Sequence, residues 1–196
     1  MIEQRMAARP PALLALIALA IAILTAACSG STPTLAPSLP AVTVPSFAPD
    51  STLEATLPTS VGGVQLLTAS ASAAQAYYAS GTPLYGLTVL IAGAGAHPAQ
   101  VGVAAAADTG GKIQIPAARF QGVETAAIQA SVEALAKQAD PNVTIKHETI
   151  GGKQVTTATY SGSQIEPIVA YVTGDTVYFV KASDQALVED ALRQLP

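Results

Sequence analysis

Ile168-Val169-Ala170-Tyr171-Val172-Thr173-Gly174-Asp175-Thr176-Val177-Tyr178-Phe179-Val180-Lys181 is the stretch that decides the fold. Two runs rich in β-branched and aromatic residues flank a Gly-Asp pair, the pattern of two strands joined by a tight turn. Gly at the first central position suits a type II′ turn, whose twist matches that of the strands it joins. This register sets Tyr171 opposite Tyr178 and Val172 opposite Val177. Cross-strand aromatic pairs of this kind contribute about 0.2–1 kcal/mol.

Working outward, the same pattern recurs. Residues 101–107 and 112–120 flank Asp108-Thr109-Gly110-Gly111, a hairpin signal. Residues 143–150 and 153–160 flank Gly151-Gly152, a two-residue loop that admits positive φ. Between these hairpins Val123, Ala127, Ile128, Val132, Leu135 and Ala139 recur at helical spacing, as a helix lying on a sheet requires. After the last strand, Ser183 is expected to cap a closing helix, with Asp184 favourable to its dipole. Leu187, Val188, Ala191, Leu192 and Leu195 form that helix's apolar stripe. Towards the N-terminus, residues 64–67 read as a first strand and the Ala-rich 69–83 as a short helix. Residues 84–94 read as a helix or a buried strand, because a short apolar run does not separate the two. Successive strands are mostly joined without helices. The expected fold class is therefore α+β: an antiparallel sheet of about six to seven strands built from hairpins, with two or three helices on one face. A faint internal echo, Val61-Gly62-Gly63-Val64 against Ile150-Gly151-Gly152-Lys153, is too short to establish a repeat.

Composition limits the function. The chain has 196 residues, a net charge of −4 and half its residues hydrophobic, yet only 11% charged and 5% aromatic. An ordinary soluble domain carries about 25% charged residues. Nucleic-acid binding is excluded, because it needs clustered Lys and Arg to displace counterions. A disulfide scaffold is excluded by the single Cys.

Part of the hydrophobicity sits at the N-terminus. Arg5 and Arg9 precede an apolar stretch over residues 12–27, broken only by Thr25. A spanning helix needs about 20 residues, whereas a charged start, a short apolar run and small residues before a break fit a signal peptide over residues 1–27. The break reads Leu24-Thr25-Ala26-Ala27-Cys28-Ser29. It resembles the lipobox of bacterial lipoproteins, with Thr25 departing from the aliphatic residue more common there. The resemblance implies diacylglyceryl transfer to the Cys28 thiol, cleavage before Cys28 and acylation of the new amino terminus. It implies a membrane partner through that lipid on the extracytoplasmic face of the cell membrane, or on the outer membrane where the cell has one. It covers residues 1–29 and carries nothing about the fold beyond them. Residues 28–52 hold Pro33, Pro37, Pro40, Pro45 and Pro49 among Ser, Thr and Ala. Such a segment is an extended tether at about 3.1 Å per residue. Residues 53–196 then form one domain of ordinary size.

Within that domain the usual chemistry is hard to find. There is no Gly-x-Ser-x-Gly elbow, and the lipobox resemblance implies that Cys28 is consumed by lipid. His97, before Pro98, and His147, between Lys146 and Glu148, read as exposed residues. Two lone His without Cys partners make no zinc spacing. Gly93-Ala94-Gly95 and Gly110-Gly111-Lys112 read as turns rather than phosphate loops, so no cofactor is expected. From Cys28 to Gly111 there is no Lys or Arg. This cation-free part reads as a buried layer, or as a weakly polar ligand or partner surface lined by Tyr77, Tyr78 and Tyr85. Three functions follow as expectations. The first is a lipid-anchored binding or accessory module of the cell envelope, with an envelope protein as partner and no catalytic site. The second is a carrier of a lipid or other apolar small ligand, by fold-level analogy. The third is a hydrolase with an unrecognised site.

Overall fold

The computed structural model describes residues 50–73, 85–161 and 167–196. Its elements in chain order are α1 (Ser51–Glu54), β1 (Ser60–Val61), β2 (Val64–Gln65), β3 (Leu67–Ser72), α2 (Tyr85–Gly93), β4 (Val101–Ala107), β5 (Ile113–Phe120), α3 (Thr125–Ala139), β6 (Thr144–Ile150), β7 (Lys153–Thr159), β8 (Ile168–Thr173), β9 (Thr176–Ala182) and α4 (Gln185–Gln194). The hairpin quoted above is β8–β9, with Tyr171 opposite Tyr178 and Val172 opposite Val177. Gly174 has φ +55° and Asp175 does not share the positive φ, as a type II′ turn requires. The two tyrosine rings stack with centroids 6.1 Å apart.

Seven strands make one antiparallel sheet in the order β3-β4-β5-β9-β8-β7-β6. Two meanders, β3-β4-β5 and β6-β7-β8-β9, meet through their last strands. Helix α3 carries the chain from β5 to the far edge, so β9 can return to pair with β5. The small hairpin β1–β2 stands apart from this sheet. The α+β class and the strand count are as expected.

The helices, however, are divided between the two faces instead of sharing one. On one face α2 and α3 bury Leu87, Leu90, Ile128, Val132 and Leu135 against Val101, Phe120, Val177 and Phe179. On the other, α1 and α4 bury Leu53, Val188, Ala191 and Leu192 against Ile113, Ile115, Tyr178 and Val180. The physical sign is in the central strands, where consecutive residues are buried: Val177, Tyr178, Phe179 and Val180 all lie inside. Strands buried on both faces lose the alternation that a one-sided sheet shows. The cation-free part follows the same logic. Strand β4 is Val-Gly-Val-Ala-Ala-Ala-Ala and almost wholly buried, so its lack of charge reflects the inner layer.

Three local expectations are corrected. Residues 69–72 are strand, paired with β4 from Leu67↔Ala107 to Ser72↔Gly102, because tertiary pairing overrides the helix propensity of Ala, the strongest of any residue but a weak prior in a packed sheet. The remainder of the expected 69–83 helix lies outside the described residues, apart from Ala73. The cap of α4 is Asp184, whose carboxylate accepts from Ala186 N at 2.9 Å. Ser183 is still held by the strand pattern, its N–H donating to Lys112 O at 2.9 Å. The domain also begins earlier than residue 53. Asp50 caps α1 by accepting from Leu53 N at 3.0 Å, and it pairs with Arg119 on β5. Burial alone would raise the Asp50 carboxyl, but hydrogen bonds from Leu53, Thr52 and Arg119 outweigh it and hold it below the ordinary carboxylate range. The 84–94 ambiguity resolves as the helix α2.

The Gly-pair echo gains a structural meaning. Residues 61–72 (VGGVQLLTASAS) and 150–161 (IGGKQVTTATYS) match at Gly62/Gly151, Gly63/Gly152, Gln65/Gln154, Thr68/Thr157, Ala69/Ala158 and Ser72/Ser161. Both pairs form two-residue turns with φ positive at each Gly, the type I′ geometry. Both strands then pair with the first strand of the following hairpin. The two turns also abut α4. Gly62 N donates to Asp190 Oδ2 at 2.7 Å, and a Cβ on Gly151 would lie 2.8 Å from Glu189 O. Helix α4 is clasped between them.

This clasp separates two neighbouring glycines. Gly152→Ala meets open space and should cost only the left-handed backbone penalty, about 1–2 kcal/mol. Gly151→Ala adds a clash with the α4 backbone, about 1–3 kcal/mol more. Urea unfolding of the two variants should rank them in that order.

Candidate functional site

Because α4 covers only part of its face, a cleft of about 680 Å³ opens between it and the β6–β7 end of the sheet. The volume is in the range of small-ligand sites. Its apolar lining is Val169, Val188, Ile150, Ala182 and Pro167. Its polar lining includes Lys146, Glu148, Thr157, Thr159, Asp184 and Glu189. Strand alternation puts the residues in place: Lys146 sits opposite Thr157, and Thr157 opposite Val169, so all three share one face.

Thr157 is the unusual member. It is 9% exposed, and its Oγ1 has no hydrogen-bond partner among the described residues. A buried hydroxyl without a partner costs about 1–3 kcal/mol. Lys146 and Glu148 form no ion pair with another described residue. Glu189 is bonded to Arg193 at 3.2 Å. Asp184 is committed through Oδ1 to capping α4. A polar cleft of mixed charge can orient a ligand by hydrogen bonds and charge. Sequence reasoning missed it, because only the pairing of β6 with β7 and the course of α4 bring its residues together.

The opposite face of the same strands holds a hydrogen-bonded chain. His147 Nδ1 lies 3.2 Å from Thr156 Oγ1, and His147 Nε2 lies 3.5 Å from Glu133 Oε1. Hydroxyl, imidazole and carboxylate in this sequence satisfy the first geometric requirement of a nucleophile, base and orienting acid. Thr156, however, also accepts from Gln129 Nε2 and is only 4% exposed. Its hydroxyl is enclosed under α3, where an attacking oxygen would have no room for a substrate carbonyl. The chain of bonds fastens α3 to β6 and β7. His97 is engaged otherwise, its Nδ1 accepting from Ala99 N at 3.2 Å to cap a single 3-10 turn, Pro98–Gln100.

The other residues singled out by sequence are placed as follows. Cys28, Tyr77 and Tyr78 lie outside the described residues, and Tyr85 is the first residue of α2. Among the described residues no group of three or more His, Cys, Asp or Glu is placed to hold a metal. None of their helices is long and apolar enough to cross a membrane.

Two adjacent threonines provide a test of the site. Thr156→Val removes the hydroxyl that joins Gln129 to His147 and should cost about 1–2 kcal/mol. Thr157→Val removes a hydroxyl without a partner among the described residues and should be neutral or stabilising by about 1 kcal/mol. Denaturant unfolding distinguishes them, and equal losses would mean that Thr157 is bonded in the free protein. No family profile, no curated protein and no solved structure matches this chain.

Proposed function

We propose that this chain is a bacterial lipoprotein, held by lipid on Cys28 at the extracytoplasmic face of the cell membrane. Its folded domain is a binding or accessory module of the cell envelope. The observation that carries the binding role is the polar cleft beside α4, a ligand-sized hollow containing a buried hydroxyl without a partner among the described residues. A module of this kind needs a preformed surface and no activated nucleophile, and the enclosed Thr156 hydroxyl fits that description better than hydrolysis. Asp50, which follows the Pro-rich stretch, is tied to the sheet by its ion pair with Arg119 on β5. A Pro-rich stretch of about 20 residues has a greatest reach of roughly 60–70 Å, a length that would carry the cleft clear of lipid headgroups. An apolar carrier would need a cavity lined by apolar side chains, and the charged rim of this cleft does not favour one.

Intact-mass measurement of the membrane fraction tests both parts together. The expected mature chain begins at Cys28 and carries diacylglyceryl mass, with a polar small molecule or envelope protein recovered alongside it. The Cys28→Ala variant is expected to stay unprocessed and free of lipid. A mature chain beginning elsewhere, with Cys28 unmodified, would contradict the anchor.

A further inference from the structure

Strand β6 is a sheet edge. It pairs with β7 at all seven of its residues, and no strand lies on its other side among the described residues. Open edges invite pairing with another chain, and proteins usually blunt them by shortness, Pro, bulges or charge. The β6 edge is seven residues long, contains no Pro and keeps continuous register with β7. It does carry charge, but Lys146 and Glu148 are of opposite sign, which disfavours a random strand more than a second copy of itself. The direction of its free groups follows from the turn. Ile150 and Lys153 flank the two-residue Gly151-Gly152 loop and so exchange both ladder bonds. Alternation then turns the N–H and C=O groups of Thr144, Lys146, Glu148 and Ile150 towards β7. Those of Ile145, His147 and Thr149 face outward.

We propose that this edge is an interface with a second copy of the chain, the two β6 strands pairing antiparallel about a two-fold axis at His147. Three central registers bring outward-facing residues opposite one another. Centring on Lys146 sets Lys146 against its own copy, and centring on Glu148 sets Glu148 against its own copy. Like charges directly opposite are destabilising. Centring on His147 sets Lys146 opposite Glu148 of the second copy, twice by symmetry, and sets the two His147 residues opposite one another, each ring held beside Thr156 and Glu133 of its own copy. It is also the one register that pairs all seven residues. Ile145 then faces Thr149 of the second copy, and the backbone exchanges two bonds at each of three pairs. Lys146 and Glu148 fall at the non-hydrogen-bonded positions, where side chains approach most closely. The strand Thr-Ile-Lys-His-Glu-Thr-Ile is thus complementary to itself in charge and bonding, as an isologous two-fold contact demands. Lys146 and Glu148 also line the cleft, so this contact places two clefts side by side. The inference goes beyond the binding-module reading and stands without it, since it requires only β6.

Sedimentation equilibrium of the full chain in detergent, over a range of concentrations, tests it with two charge reversals. The wild type is expected to show a reversible monomer–dimer equilibrium that weakens with added salt. Lys146→Glu and Glu148→Lys should each weaken dimerisation roughly ten- to a hundredfold, because each turns two attractive pairs into two repulsive ones. A mixture of the two variants should recover a heterodimer, and the double variant K146E/E148K should dimerise like the wild type. Both side chains are exposed, so the variants should keep the wild-type circular dichroism. Lack of wild-type dimer at about millimolar concentration, a range in which even weak specific contacts are populated, would overturn the proposal. So would a dimer indifferent to both reversals.

Discussion

The pairing of β5 with β9 is the contact on which the rest of the structure depends. Residues about 60 positions apart meet there, from Ile113↔Ala182 to Arg119↔Thr176, and no local turn helps them do so. Closing such a loop costs entropy that only the contacts it enables can offset. These contacts are available because β9 is buried on both faces and β5 sends Ile113 and Ile115 into one core and Phe120 into the other. Ile113, Ile115, Val177, Tyr178 and Val180 are each at most 2% exposed, and a fully buried side chain of this size contributes about 1.5–3 kcal/mol. The helix after β5 covers one face and the helix after β9 covers the other. The helix α3 rests on α2, β8 and β9, and α4 rests on β9 and β1.

What was legible in the sequence was local. The hairpins at Gly174-Asp175 and Gly151-Gly152 could be read with their register, because turn type fixes which residues face one another. Helix α3 could be read from its spacing. What was hidden was set by tertiary contacts. The text of β3, Leu-Thr-Ala-Ser-Ala-Ser, has little strand character of its own, and its state is decided by β4 beside it. The division of helices between faces lay in the unbroken apolar run of β9, which a two-strand reading treats as one hairpin arm. Ser183 and Asp184 are both good caps, and a backbone bond to Lys112, distant in sequence, decides between them. The Gly pairs at 62–63 and 151–152 were visible. Their common role, gripping α4 from two sides, was not. The cleft had no sequence signature, since Thr157 looks like any strand threonine until its surroundings are known.

The features that bear on function arise where this packing stops. Helix α4 is ten residues long and sits between the two Gly-pair turns, so it cannot also shield the β6–β7 end of its face. That end is left as a polar cleft, and β6 is left with an open edge. Both features concern the same two charges, Lys146 and Glu148, which serve as cleft rim on one face and complementary pair along the edge. A binding module of the kind proposed needs little more than these features. It needs a rigid sheet, a hollow with unsatisfied hydrogen-bonding capacity, and an edge that selects its own copy over a random strand.

The central claim is that β5 and β9 join the two meanders into one cooperative unit. Residue-resolved amide hydrogen exchange tests it most directly. The amides of β5 and β9 are expected to be the slowest in the chain, to share one opening free energy, and to match the free energy of global unfolding. Strand β4 from one meander and β8 from the other should follow at nearly the same value. If β3-β4-β5 and β6-β7-β8-β9 instead opened with clearly different free energies, the seam would not hold the fold together and the account would be contradicted.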